Sequence, residues 1–214
     1  MYTKSLILIA SSVIALGQTN VQLVEPETAN EILRSGTSAT TNGYSPITTG
    51  QRFRWVVDGS VGPADLAGTA LTAAWGTLTN SPKEYGTHWS GYGKRYGLGL
   101  AGSGTSQVME ASIGSLWGED PRYFRAAGQP FKNRLGHVLK MTVTATNRDG
   151  HAMPAYSRYI AYTGTSFISN AWRPDSQATV DEALGRIPLS FASTLAGRAF
   201  AEFWPDIRER ILGK

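Results

Sequence analysis

The sequence predicts a mainly α protein: a compact bundle of closely packed, Gly/Ala-striped helices with one small β-hairpin, placed behind an export segment and a polar leader. Three observations carry that expectation. Apolar residues recur at helical spacing through most of the chain after residue 48. Small residues recur at every fourth position within those segments. A single stretch, Lys140 to Tyr156, alternates with a period of two around the turn sequence NRDG.

Residues 1–17 read as a signal peptide, in which Lys4 supplies the charge, Leu6 to Leu16 the apolar run, and Ala15 and Gly17 the small residues before a cut. The run is too short for a spanning helix, which needs roughly twenty residues. The mature chain would begin near Gln18, and residues 18–47 form a polar leader whose RSGTSATTNGYSPITTG stretch is too poor in apolar groups to order itself. A short helix is expected inside it at Glu27 to Leu33. Residues 48–214 then form a single helical domain, long enough for a true core.

Within that domain, Thr48 or Thr49 caps a first helix, with Phe53, Val56 and Val57 on one face and Gly59 and Gly62 at its end. Pro63 opens a second helix that runs to Leu78, where TNSPKEYG breaks it. A long third helix spans Thr87 to Leu116, and GEDPRYF stops it, with Asp120 as a cap and Pro121 starting a short turn. A fourth helix begins in PFKNRLGHVLK and gives way to a strand at KMTVTAT. Tyr156 to Ala171 and Ser176 to Glu209 close the domain as helices, the last interrupted near Pro188 and bent at Pro205.

The stretch GYGKRYGLGLAGSGTS inside the long helix is rich in glycine, although each helix-interior glycine costs about 0.5 to 1 kcal/mol relative to alanine. Close helix contact is the expected return. The packing stripes are Gly93, Gly97, Ala101 and Thr105; Ala64, Gly68, Thr72 and Gly76; and Ser193, Gly197 and Ala201. Such stripes are familiar between helices in lipid, but Glu110 and Arg158 sit inside these segments, and nothing after residue 17 forms an apolar run of about eighteen residues. A β-barrel is disfavoured because the C-terminal DIRERILGK lacks an aromatic terminal strand.

Composition narrows the function classes. With no cysteine there is no disulfide, thiolate metal site or cysteine nucleophile. The balance of 20 basic and 16 acidic residues, a net charge of +4, is too weak to argue for nucleic acid but suits an anionic membrane surface or envelope polymer. The 6 Trp and 9 Tyr, several beside Arg or Lys, suit a headgroup boundary. FKNRLGHVLK has the pattern of a basic surface-lying helix, with Lys132, Arg134, His137 and Lys140 around Leu135, Val138 and Leu139. The competing reading is an ordinary solvated face.

Chemistry-bearing motifs are sparse. His88, His137 and His151 are isolated, so no metal site is expected, and no cofactor motif occurs: AGSGTS around Ser103 is neither a nucleophile elbow nor a phosphate loop. GEDPRYF is the strongest polar candidate, because Glu119 and Asp120 are paired carboxylates and Arg122 and Tyr123 suit an anion or a sugar ring. With His137, general acid and base chemistry becomes conceivable, making a hydrolase of envelope polymer the alternative function. The structural alternative has Asp120 capping a turn and Arg122 pinning the loop. NAWRPD, with Trp172, Arg173 and Asp175, looks like a second aromatic-arginine-acid loop, and the two loops are expected to clasp.

The strings EDPRYF, RLGHVLK, YSRYIAYTGTSFISNAWRP and FAEFWPDI resemble those of an uncharacterised family of exported bacterial proteins, over most of residues 50–208. The resemblance implies location in the bacterial envelope, in the periplasm or at the outer membrane, and assigns no activity, cofactor or site. The expected function is therefore noncatalytic: a structural or binding role near the outer-membrane surface, with self-association through the small-residue grooves.

Overall fold

The computed structural model of the protein describes residues 44–213. The signal peptide, most of the leader and the expected Glu27 to Leu33 helix lie outside the described residues. Helix α1 (Thr49–Val61) starts where the sequence places it. The Thr48 hydroxyl accepts from the Gln51 amide at 3.2 Å, and the Gln51 side chain accepts from the Thr48 amide at 3.0 Å. Gly62 then joins α1 to α2 (Pro63–Leu78), donating its amide to the Asp58 carbonyl at 2.9 Å. A side chain cannot fit there, because a Cβ would stand 2.9 Å from the Asp58 carbonyl carbon.

A 3-10 turn at Lys83–Tyr85 leads to α3 (Trp89–Trp117), 29 residues and so about 43 Å long. Gly118 ends it in the left-handed conformation, φ 76°. After the GEDPRYF loop come α4 (Phe131–Val143), strands β1 (Thr144–Thr146) and β2 (Ala152–Pro154), and α5 (Tyr156–Ile168). Further 3-10 turns at Ser169–Trp172 and Asp175–Gln177 precede α6 (Val180–Leu212), which passes through Pro188 and Pro205 without interruption. Helix α3 is the hub: α1, α2 and α5 pack on it, α4 packs on α6, and α6 on α5.

The hairpin is shorter than expected. Thr144 pairs with Pro154, Ala145 with Met153 and Thr146 with Ala152, and the Asn147 to Gly150 turn is held by the Asn147 side-chain oxygen accepting from the amides of Asp149 and His151. Residues 140–143 remain helical. The cause lies outside the local pattern: the Arg158 guanidinium of α5 donates to the carbonyls of Met141, Thr142 and Thr144, satisfying the C-terminal acceptors of α4.

The interior is made largely of small and polar groups. Ala73, Ala111, Ala155, Ala161, Ala183 and Ala201 are buried, and one apolar cluster gathers Tyr123, Val138 and Met141 against Leu195 and Ala199. Between them lies a buried ion pair, Arg158 to Glu110 at 3.1 Å. Burial pushes the Glu110 carboxyl up, against the lowering effect of Arg158 and Arg198. Arg198 has no carboxylate of its own among the described ion pairs. Burial and the neighbouring Arg158 push its guanidinium down to about 9.

Two expected faces are turned the other way. On α1, Trp55 and Gly59 face inward, whereas Phe53 and Val57 are exposed. On α3 the buried face is Gly91, Arg95, Ser103, Gln107, Glu110, Ala111 and Gly114. Ala101 is exposed, and a Cβ built on Gly93 or Gly97 meets nothing within 4 Å, so this stripe forms no helix contact. Arg95 explains the rotation. Its guanidinium donates to the carbonyls of Ser81 at 2.9 Å, Pro82 at 2.8 Å and Gly86 at 2.7 Å, closing the segment after α2 and holding Gly91 against that loop. Close approach does occur at Gly76, whose Cβ would stand 2.9 Å from Arg95 Cδ, and at Gly114, 3.2 Å from Ser157 Oγ. Gly68 and Gly197 are buried.

Candidate functional site

The GEDPRYF loop is built from inside the fold. Glu119 accepts from the Trp117 indole at 2.9 Å, the Ser157 amide at 3.0 Å and the Ser157 hydroxyl at 2.6 Å, so its carboxylate caps the start of α5. Asp120 accepts from Arg122 Nε at 3.0 Å and Nη2 at 2.7 Å, and from the Tyr44 hydroxyl at 2.8 Å. Arg122 also donates to the Ser45 carbonyl at 2.8 Å and stacks on Phe124. This loop fastens Tyr44 and Ser45, ahead of the Thr48 cap. Asp120 bridges to Thr146 in an isolated antiparallel pair, and the expected turn at Pro121 does not form.

His137 stands apart from these carboxylates. Its Nε2 lies 2.7 Å from the Phe124 carbonyl and its ring 5.7 Å from that of Tyr123. The Tyr123 hydroxyl donates to Glu202 at 2.8 Å, so Tyr123 is tied up inside rather than offered to a ligand. Among the described residues there is no group of His, Asp and Glu fit to hold a metal ion. Glu119, Asp120 and His137 each serve a separate set of partners, and none lines the cavity described below.

Helix α4 divides the three cations expected on a basic surface. Lys132 and Lys140 are exposed. Arg134 is not: it is buried, donates to Glu202 at 2.7 Å, pairs with Asp206 and stacks on Phe203. Burial raises the Glu202 carboxyl, but hydrogen bonds from Arg134 and Tyr123 outweigh that and hold it below the ordinary range. With the arginine turned inward, the outer face of α4 is Phe131 (65% exposed), Leu135, Leu139 and Val143. Beside it, α6 exposes Phe200, Trp204, Ile207 and Ile211, and a ring contact between Phe131 and Phe203 at 5.1 Å joins the two helices. No helix among the described residues is long and apolar enough to cross a membrane.

The NAWRPD loop makes no clasp with GEDPRYF. Arg173 donates to the Ser169 hydroxyl and to Gln177, both at 3.2 Å, while Trp172 ends a 3-10 turn and is half-buried. Here Arg173 meets a residue that sequence reading missed. Arg186, on the first turns of α6, donates to the carbonyls of Gln177 and Ser166, both at 2.8 Å, and to the Asn170 side chain. Glu182 stands four residues before it, so the local pattern suggests a routine surface pair. The two arginines instead line a cavity of about 190 Å³ between α3, α5 and α6.

Compared with known protein-family models, curated proteins and solved structures, the chain matches none of them.

Proposed function

We propose that the protein is a noncatalytic, exported component of the bacterial cell envelope that seats its α4–α6 face on an anionic lipid surface. One observation carries this reading: these helices bury Arg134 against Glu202 and turn a set of large apolar side chains outward. An exposed set of eight large apolar residues on two adjacent helices is costly in water. Moving such a side chain out of water is worth roughly 1.5 to 3 kcal/mol. Lys132, Lys140, Arg208 and Arg210 are exposed on the same helices, which supplies the charge complement to anionic headgroups. Trp204 suits the headgroup boundary. The Leu6 to Leu16 run supports export.

The test is co-sedimentation of the mature chain with phosphatidylglycerol vesicles and with phosphatidylcholine vesicles. Pelleting is expected with phosphatidylglycerol, weakened but not abolished by salt. Lys132→Gln and Lys140→Gln each lower affinity about fivefold, because a cation near such a surface is worth about 1 kcal/mol. Leu139→Glu lowers it in both salt conditions. A protein that stays in the supernatant with both vesicle types overturns the reading.

A further inference from the structure

We propose that the cavity between α3, α5 and α6 binds a small hydroxylated oxyanion, a phosphomonoester fitting best, with Arg173 and Arg186 holding the anionic group. The first argument is charge. Both guanidiniums line the cavity, and among the described residues neither forms an ion pair with a carboxylate. Glu182 is near enough to feel both charges, and Tyr85 stands near Arg173. Burial and the charge of Arg173 push the Arg186 guanidinium down to about 10, the mark of a cation without adequate compensation. A loop could be pinned by neutral donors at less cost, so two guanidiniums on one cavity, neither in an ion pair with a carboxylate, point to an anion that joins them.

The second argument is hydrogen-bond supply. Arg186 Nε is buried and has no partner, leaving a donor for the ligand. The rest of the wall offers acceptors. Gln107 is 7% exposed and its Oε1 is also without a partner, while the hydroxyls of Ser103, Ser169 and Ser190 spend their hydrogens on Leu100 or Asp65, Ser166 and Arg186 respectively. Donors near the arginines and acceptors around them match a ligand that carries an anion and hydroxyl groups together. The cavity has room for on the order of a dozen water-sized groups, enough for a three-carbon phosphomonoester. Of α6 this site uses residues 186–194, whereas the proposed lipid-facing side chains are residues 200–211, and the primary test uses soluble ligand.

Isothermal titration calorimetry of the full mature chain at low salt, with glycerol 3-phosphate, inorganic phosphate and glycerol, tests the assignment. Glycerol 3-phosphate is expected to bind more tightly than phosphate, and glycerol not at all. Arg173→Gln weakens glycerol 3-phosphate at least about tenfold, the loss expected for a charge-assisted bond. Gly102→Leu serves as a second variant: Gly102 lines the cavity and a Cβ there meets nothing within 4 Å, so the leucine fills the space while both arginines remain. It abolishes binding without unfolding the helix, which circular dichroism checks. Competition by phosphatidylglycerol vesicles assigns the anion to a lipid headgroup, and its absence to a soluble phosphomonoester. No heat with either phosphate, or unchanged affinity in folded Gly102→Leu, overturns the proposal.

Discussion

Asp65→Asn removes a charge that the fold accommodates poorly. The side chain is 3% exposed on α2, its Oδ2 accepts from the Ser103 hydroxyl at 3.1 Å, and its Oδ1 has no partner. Burial pushes its carboxyl up from 3.8 to about 7, with the Ser103 bond opposing. A raised acid holds a proton in the folded chain that the unfolded chain releases, so the stability it contributes is full below about pH 4 and lost as pH rises through about 7. Three units at about 1.36 kcal/mol each set a ceiling of about 4 kcal/mol, and relaxation around the site brings the expected value to about 2. Asparagine keeps an acceptor for Ser103 and cannot ionise. Urea unfolding followed by circular dichroism at about pH 5 and about pH 8.5 should show the variant more stable than the parent at the higher pH by about 2 kcal/mol, with the gap closing at the lower. Glu110 and Arg198 also titrate abnormally, but both are present in parent and variant, so the difference isolates Asp65. Equal loss of stability in both proteins between the two pH values would refute the reasoning.

Two further outcomes are expected from the packing. Glu110→Gln leaves the Arg158 guanidinium buried with its ion pair broken and costs about 3 to 5 kcal/mol in urea unfolding. Gly97→Ala, where a Cβ meets nothing, raises stability by about 0.5 to 1 kcal/mol, whereas Gly91→Ala lowers it, because its Cβ would stand 2.6 Å from the Gly86 carbonyl oxygen; thermal melts of the pair separate a solvent-facing edge from a packed one.

Three helix limits were legible in the sequence because they are set locally. Thr48 caps, Gly62 and Pro63 joins two helices, and Gly118 terminates α3 through side-chain hydrogen bonds or backbone conformations that neighbouring residues dictate. Which face turns inward was not local. The rotation of α3 is decided by Arg95 reaching carbonyls near residues 81–86, and the end of α4 by Arg158 arriving from α5. Periodicity cannot see such partners. For the same reason GEDPRYF was recognisable as a polar loop, but the assignment of Glu119 to Ser157 depends on a segment 38 residues away. Arg186 stayed hidden because a glutamate at the preceding helical turn gives an ordinary arginine the same local signature.

The arginines also connect the inner and outer surfaces. A helix that must deliver Arg134, Arg158 or Arg198 inward gives up that angular sector to a polar partner, so its large apolar residues are displaced outward. On α4 the displaced set is Phe131, Leu135, Leu139 and Val143; on α6 it is Phe200, Trp204, Ile207 and Ile211. In water both halves of that arrangement are unfavourable: the buried ion pairs lose hydration, and the exposed aliphatics order solvent around them. Against lipid the second cost reverses sign, while the first is met by the hydrogen bonds already in place around Glu202 and Arg158. Helices with charged groups midway along them suit lying in the plane of a surface rather than crossing it.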